Sequence, residues 1–509
     1  MYAYVNSETT FGLNGIMVQV EVDIANGLPS FDIVGLPTTA VRESRERVKA
    51  AIKNTGFDFP EGRITVNLAP ADIKKDGSGL DLPIAIGILK ACGVITADNL
   101  QDKLFVGELS LEGRLRPIPG VLCMAINAAQ NGIRDIYLPL ENAQEACLVG
   151  TLSVYSSSDL RDLIQHLNGM TILEKQMQVL KDEDLGISFA DFADVKGQAM
   201  PKRALEIAAA GGHNVLLVGP PGSGKTMLAK RLPGILPELS EQEALEVTQI
   251  YSVAGLLKNN QGLIRNRPFR SPHHTISSGG LIGGGKIPKP GEVTLSHNGV
   301  LFLDEVLEFS KSSLEVLRQP LEDREVTISR VQAQISYPAS FIFVASANPC
   351  PCGFLGYEDA SHRCKCRPAD ILAYQKRMSG PLLDRIDLQI NVPRLQYEEL
   401  VANNDFAETS SQIKERVQAA RNIQLKRFVG QNNFTNAHMN IKSVRKHCCL
   451  DEITRKLLET AFRNLNLSAR SYDKILKVSR TIADLEGQEK IQPKHVAEAI
   501  QLRTNIQIS

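Results

Sequence analysis

Apolar and polar residues follow two different periods along this 509-residue chain. In the first third, strict alternation over Met17-Val-Gln-Val-Glu-Val-Asp-Ile24 predicts a half-buried strand. Short apolar runs at Ile64–Leu68, Leu104–Gly107 and Ile136–Leu138 predict three more. Helical spacing lies between them, over Thr39–Asn54, Leu82–Cys92 and Val121–Asn131. The mixture predicts an α/β or α+β domain over 1–168. The pattern then fades into a polar stretch with Lys175, Lys181, Asp182, Glu183 and Asp184, which predicts a linker over 169–187. The middle of the chain reads differently. Asn214–Val218, Val300–Leu303, Phe341–Ala347 and Leu388–Val392 are nearly all apolar, as in strands buried on both faces of a parallel sheet. They predict an α/β core over 188–395. Beyond Gln396 the strands give way to helices, at Glu408–Phe428, Asp451–Asn464, Ala469–Asp484 and Pro493–Leu502, which form a helical region over 396–509.

The strand Asn214–Val218 runs straight into Gly219-Pro-Pro-Gly-Ser-Gly-Lys-Thr226, and a helical run begins at Met227. This is the phosphate-binding-loop pattern in the setting it requires. In the loop Gly219, Pro220, Pro221, Gly222, Ser223 and Gly224, the glycines let backbone N–H groups turn inward around phosphate oxygens, and the helix start adds a positive dipole end. Lys225 supplies a point charge to the outer phosphates, and the Thr226 hydroxyl can hold Mg²⁺. A second apolar strand ends in Asp304-Glu305. There Asp304 is placed to hold Mg²⁺ through water, and Glu305 to orient and polarise the attacking water. ATP and Mg²⁺ are the cofactors these motifs predict.

Composition narrows the options. Lys+Arg and Asp+Glu are both 57, so no global field draws the chain to nucleic acid, and any such contact is local. Tryptophan is absent and aromatics are 5%, which argues against a base-stacking platform. Arg42, Arg45, Arg47 and Lys49 share a predicted helix with Glu43 and Glu46 and read as a solvated face of mixed ion pairs. No apolar run approaches a membrane span, and the start lacks the basic and apolar regions of a signal peptide, so a soluble cytoplasmic chain is expected. Four of the nine cysteines form two close pairs, Cys350-Pro-Cys352 and Cys364-Lys-Cys366, with His362 nearby. Thiolates so grouped suit a closed structural Zn²⁺ site; the alternative is four reduced thiols in a polar loop.

Lys225 and Asp304 lie much farther apart than the ~30 residues of a βαβ unit, so an insertion separates them. It holds Arg265-Asn-Arg-Pro-Phe-Arg-Ser-Pro-His-His274 and then five glycines around Leu281-Ile282, which read as a mobile loop tip followed by Lys286 and Lys289. Two alternating segments within Glu325–Tyr337 predict a β-hairpin whose turn carries Arg330.

Several of these stretches resemble known families. Phe189–Gln198 resembles the lead-in that cups adenine in AAA+ ATPases. Asn348, at the end of the strand from Phe341, resembles the AAA+ sensor 1 residue. Arg385, in Leu382-Leu-Asp-Arg-Ile-Asp387, resembles an arginine finger, and the helical region resembles an AAA+ lid. Arg470, in Leu467-Ser-Ala-Arg-Ser-Tyr-Asp473, resembles the sensor 2 arginine, with Ser468 as helix N-cap. The insertion and hairpin resemble the helix-2-insert branch of AAA+ proteins, which implies that Lys286, Lys289 and Arg330 line a central pore. Lys75-Asp-Gly-Ser-Gly-Leu80 and Gly107–Gly120 resemble the proteolytic domain of Lon. The nucleophile position falls on Gly79, with Ser78 one residue early, and the lysine position falls on Leu122. A Ser-Lys mechanism therefore has no base, and the resemblance implies the fold without the protease.

Taken together, Gly219–Thr226, Arg270-Ser-Pro-His-His274, Ala347-Asn-Pro-Cys-Pro-Cys-Gly353, the Lon-like domain and the lid resemble the YifB/ComM family of bacterial magnesium-chelatase-like AAA+ proteins. That resemblance implies a homo-hexameric ATP-driven motor acting on single-stranded or branched DNA, by helicase or branch-migration activity, in natural transformation. A double ring stacked through the N-terminal domains would give those domains a use. The rival expectation is a chelatase-type or chaperone-type protein-remodelling ATPase.

Overall fold

The computed structural model describes residues 1–509 apart from 76, 98, 179–189, 259–261, 286–287, 331–332, 358–362, 396–406, 431–434, 466 and 505–509. Lys286, His362 and residues 179–187 of the polar stretch read as a linker lie outside the described residues. The chain forms two compact units, Met1–Leu185 with Glu241–Ile264, and Gly186–Ser240 with Arg265–Ser509.

The first unit is built on an eight-stranded mixed sheet. Its long antiparallel centre pairs Tyr2–Phe11 with Asn14–Ala25, and Asn14–Ala25 with Arg63–Ala69. The alternation that predicts the second of these strands buries Val18, Val20, Val22 and Ile24 on one face. Helices Thr39–Asn54, Asp81–Ala91 and Val121–Gln130 form where the 3.6-residue spacing places them. The helix Glu241–Ala254 joins this unit although the sequence pattern places it inside the 188–395 core. Small polar residues dock it. Ser252 Oγ donates to Glu145 at 2.6 Å, and its carbonyl accepts from Gly120 N–H at 3.0 Å.

At the Lon-like positions, Leu122 is fully buried with its N–H donating to Glu145 at 3.2 Å, and the Ser78 hydroxyl donates to the Glu108 carboxylate. Arg47 departs from the expected solvated face. Its guanidinium holds the fully buried Asp81 carboxylate at 2.7 Å, because a carboxylate taken from water needs a charged partner.

The second unit carries a five-stranded all-parallel sheet in the order Phe269–Arg270, Val300–Leu303, Ile342–Ala347, Val215–Val218, Leu388–Asn391. The inner strands are buried along their whole length, which is why they read as unbroken apolar runs. The C-terminal helices Ser410–Arg427, Glu452–Asn464, Ala469–Leu485 and Pro493–Thr504 pack into the same core as the P-loop helix Lys225–Ile235. Ser468 caps its helix by accepting from Ser471 N–H.

The hairpin forms as two strands, Glu325–Arg330 and Ala333–Pro338, with Arg330 paired to Ala333 at the turn. The glycine cluster is not a loose tip. Gly283–Gly284 pairs with Lys289–Pro290, and a Cβ at Gly283 would sit 2.3 Å from the Lys289 carbonyl. Gly283 and Gly285 take positive φ, which suits glycine.

Candidate active site

Three strands of the parallel sheet deliver polar residues from their carboxyl ends. Val215–Val218 leads into Gly219, Val300–Leu303 into Asp304 and Glu305, and Ile342–Ala347 into Asn348. Ligands of open α/β sheets bind in the crevice outside this edge. The loop is tight. A Cβ on Gly219 would lie 2.2 Å from the Val392 carbonyl, and Gly222 and Gly224 take φ of +76° and +89°. Gln198, at the end of the lead-in, donates to the Ser223 and Pro393 carbonyls at 3.3 and 2.7 Å, tying that segment to the loop.

Lys225 is buried, and its ammonium donates to the Gly219 and Pro220 carbonyls at 2.7 and 2.9 Å and to Asn348 Oδ1 at 3.2 Å. Burial pushes it down to about 8, opposed by Asp304 and Glu305. The Thr226 hydroxyl donates to Asp304 Oδ2 at 2.7 Å, so the two expected Mg²⁺ holders already face each other. Ser346 Oγ donates to Asp304 Oδ1 and accepts from Glu305 N–H at 3.0 Å. Glu305 sits at φ +50°, an uncommon conformation for a side-chain-bearing residue, and that backbone turn is fixed by the Ser346 contact. Sequence reasoning missed Ser346 and Gln198. The one available signal for Ser346 was a single hydroxyl in an otherwise apolar buried strand. Together these groups can cradle a polyphosphate, neutralise it, hold a divalent cation and present a carboxylate to water.

Arg385 and Arg470 lie elsewhere. Arg385 precedes Leu388–Asn391 and so stands at the amino edge of the sheet, with Asn214 and Phe341. It pairs with Glu322 rather than with Asp384 or Asp387, and donates to the Pro381 carbonyl at 2.7 Å. Arg470 is exposed, 3.7 Å from Asp384. Both line one cavity of about 410 Å³, with Arg324, Lys474 and Lys477. The turn carrying Arg385 is anchored from beneath. Asn214 Nδ2 donates to the Arg385 carbonyl at 3.0 Å, Asn214 N–H donates to Asp387 at 2.9 Å, and Lys474 pairs with Asp387 at 2.7 Å. Burial works to raise the Asp387 carboxyl, but Lys474 and His213 hold it far below the ordinary range.

Cys350, Cys352, Cys364 and Cys366 bring their sulfurs within 4.8 Å of one another. Cys350 lies 3.4 Å from Cys352 and 3.8 Å from Cys364, and Cys352 lies 3.7 Å from Cys364. Tetrahedral zinc with Zn–S of ~2.3 Å requires sulfurs ~3.8 Å apart, so the donor set fits a soft divalent cation. Lys289 is described in a short strand, Arg330 ends its hairpin strand, and Lys286 lies outside the described residues.

Family models cover most of the chain. "Magnesium chelatase, subunit ChlI" matches residues 191–400, "Subunit ChlI of Mg-chelatase" matches 20–142, and "Magnesium chelatase, subunit ChlI C-terminal" matches 407–503. The chain is 45% identical over 511 residues to Competence protein ComM of Haemophilus influenzae, covering 99% of this chain and 98% of that protein. It is 43% identical over 501 residues to the uncharacterized protein YifB of Salmonella typhimurium, covering 98% and 97%. Lon protease 2 of Bacillus subtilis is 32% identical over 157 residues, 28% of each chain. Among the described residues no helix is long and apolar enough to cross a membrane.

Proposed function

This chain belongs to the YifB/ComM family of magnesium-chelatase-like AAA+ proteins, and on that premise we propose that it is an ATP-driven DNA motor that promotes integration of incoming strands during natural transformation. The observation that carries the ATPase is the convergence of Lys225, Thr226, Asp304, Glu305 and Asn348 at one sheet edge. Lys225 and the loop amides bind the phosphates, Thr226 and Asp304 hold Mg²⁺, Glu305 takes the proton of the attacking water, and Asn348 orients that water.

Arg385 and Arg470 serve a neighbour's nucleotide. Asn214 and Gly219 bracket the strand Val215–Val218, which at ~3.3 Å per residue separates the two edges by roughly 16 Å. The subunit's own arginines therefore stand too far from its own loop, and a ring of copies, six in this reading, completes each site. The helix-2-insert pair, Lys286–Lys289 and the Arg330 turn, grips DNA phosphates in the pore, with no base readout. Zinc in the four-cysteine site is structural. The likeness to a protein named for competence supports DNA as substrate over a protein-remodelling role. A fluorescent three-strand or four-way DNA junction tests the motor. The wild type should displace the labelled strand with ATP, and Lys225→Ala should not. Undisplaced junctions alongside normal ATP turnover would contradict the DNA role.

A further inference from the structure

The four-cysteine cluster sits against the phosphate-binding loop, and no step of the proposed ATPase cycle uses it. Gly353 follows Cys352 directly and takes φ +85°. A Cβ there would fall 2.5 Å from Pro221 Cδ and 2.8 Å from Pro221 Cγ, so the knuckle backbone lies in contact with the second proline of the loop. Gly353 N–H donates to the Cys350 carbonyl at 2.9 Å, closing the turn that presents both sulfurs. Phe354 lies under the Arg394 guanidinium, 5.2 Å from its ring centre, and Arg394 donates to the Pro221 carbonyl at 3.4 Å. The other flank runs to the polar amide. Cys350 follows Pro349, whose carbonyl accepts from Gln375 at 3.1 Å, and Asn348, which accepts from Lys225 at 3.2 Å.

One small turn thus abuts the loop on one side and continues into Asn348 on the other. Its shape depends on keeping two pairs of thiols together, and thiolates repel unless a cation holds them.

We infer that a zinc-class divalent cation held by Cys350, Cys352, Cys364 and Cys366 sets the position of the phosphate-binding loop, so that metal occupancy controls ATP affinity. This rests on the ATPase and zinc readings above. With the metal bound, the Cys350–Gly353 turn buttresses Pro221 and the backbone amides point at the phosphates. Without it the turn relaxes, Pro221 loses its support, and the amide cradle no longer matches its ligand. Asp304 and Glu305 stand on a different strand and keep their Ser346 contacts. The effect therefore falls on nucleotide binding before it falls on turnover.

The test uses the full chain as purified. Metal content is measured by plasma mass spectrometry, and the dissociation constant of a fluorescent ATP analogue is measured on Glu305→Gln protein. The measurement is repeated after mercurial and chelator treatment, and again after reducing agent and zinc are restored. We expect one zinc per chain, about tenfold or greater weakening on stripping, and recovery with zinc. Gly353→Ala provides a second arm that leaves all four thiols in place. It should keep its zinc and its thermal transition yet bind the analogue more weakly, because the added methyl displaces Pro221. If stripping unfolds the protein, this variant decides. Absence of stoichiometric metal would overturn the zinc reading and the inference with it. Zinc present but nucleotide affinity unchanged, on stripping or in Gly353→Ala, would overturn the inference alone. No nucleotide binding by fully metallated protein would overturn the ATPase reading.

Discussion

Lys225 is the residue at which burial and chemistry conflict most openly. Its ordinary value of 10.5 is pushed down to about 8 by burial. A depressed lysine costs the nucleotide-free protein stability in full below pH 8; that penalty fades between pH 8 and 10.5, where the folded protein has released this proton and the unfolded chain still holds it. Thermal stability of nucleotide-free protein should therefore gain a contribution as pH rises through this window, and Lys225→Met should lack it. Phosphates favour the charged form, so ATP binding should take up a proton near pH 8 and weaken above it. Calorimetry in buffers of different ionisation enthalpy measures that uptake. Glu305→Gln should lower turnover by about 10²-fold or more while nucleotide affinity persists, as removal of a general base does. Motif residues such as Lys225, Thr226, Asp304 and Glu305 were legible because the chemistry demands those side chains at those spacings. Ser346, Gln198 and Asn214 were not, because each acts through hydrogen bonds to groups distant in sequence, which many other residues could make another way.

Strands and helices were legible where one face or both are buried, since the apolar period then copies the geometry. The helix Thr39–Asn54 and the strand Arg63–Ala69 fall where the pattern places them. The first strand, Tyr2–Phe11, was missed because its buried positions include Ser7, Glu8 and Thr9, on both faces, which read as polar and break the alternation. The helix Glu241–Ala254 shows what periodicity cannot supply. Its amphipathic face does not name its partner, and contacts such as Ser252 with Glu145 decide it. At the amino edge of the core sheet, the Asp387–Lys474 pair joins the turn of Arg385 to the helix Ala469–Leu485. Asp387→Asn leaves the Lys474 ammonium buried without its counter-ion and should cost about 3–5 kcal/mol in denaturant unfolding. A loss below 1 kcal/mol would mean that Lys474 finds water or another partner.

At the scale of the whole molecule, Lys225 and Arg385 stand at opposite edges of one sheet, which is why a ring of copies is proposed to complete each site. Arg385→Ala should lower turnover by about 10³-fold, as loss of an arginine finger does. Mixing Arg385→Ala with Lys225→Ala subunits should restore measurable activity, since intact loops then meet intact arginines across subunit boundaries. Two inactive variants that stay inactive when mixed would return Arg385 to a structural ion pair with Glu322. The α/β class with a parallel sheet, the gathering of Lys225, Asp304 and Asn348 at one sheet edge and the cysteine cluster were readable from local pattern. The assignment of 241–264 to the first unit was not, because packing across a long sequence separation leaves no local signature.

DNA-dependent ATP turnover tests the central claim most directly. The rate is measured with no DNA, with single-stranded DNA and with a branched junction, at two salt concentrations, beside Glu305→Gln. We predict stimulation by DNA that weakens as salt rises, because phosphate contacts release counterions, and that vanishes in the variant. Normal turnover that ignores DNA even at low salt would contradict the motor.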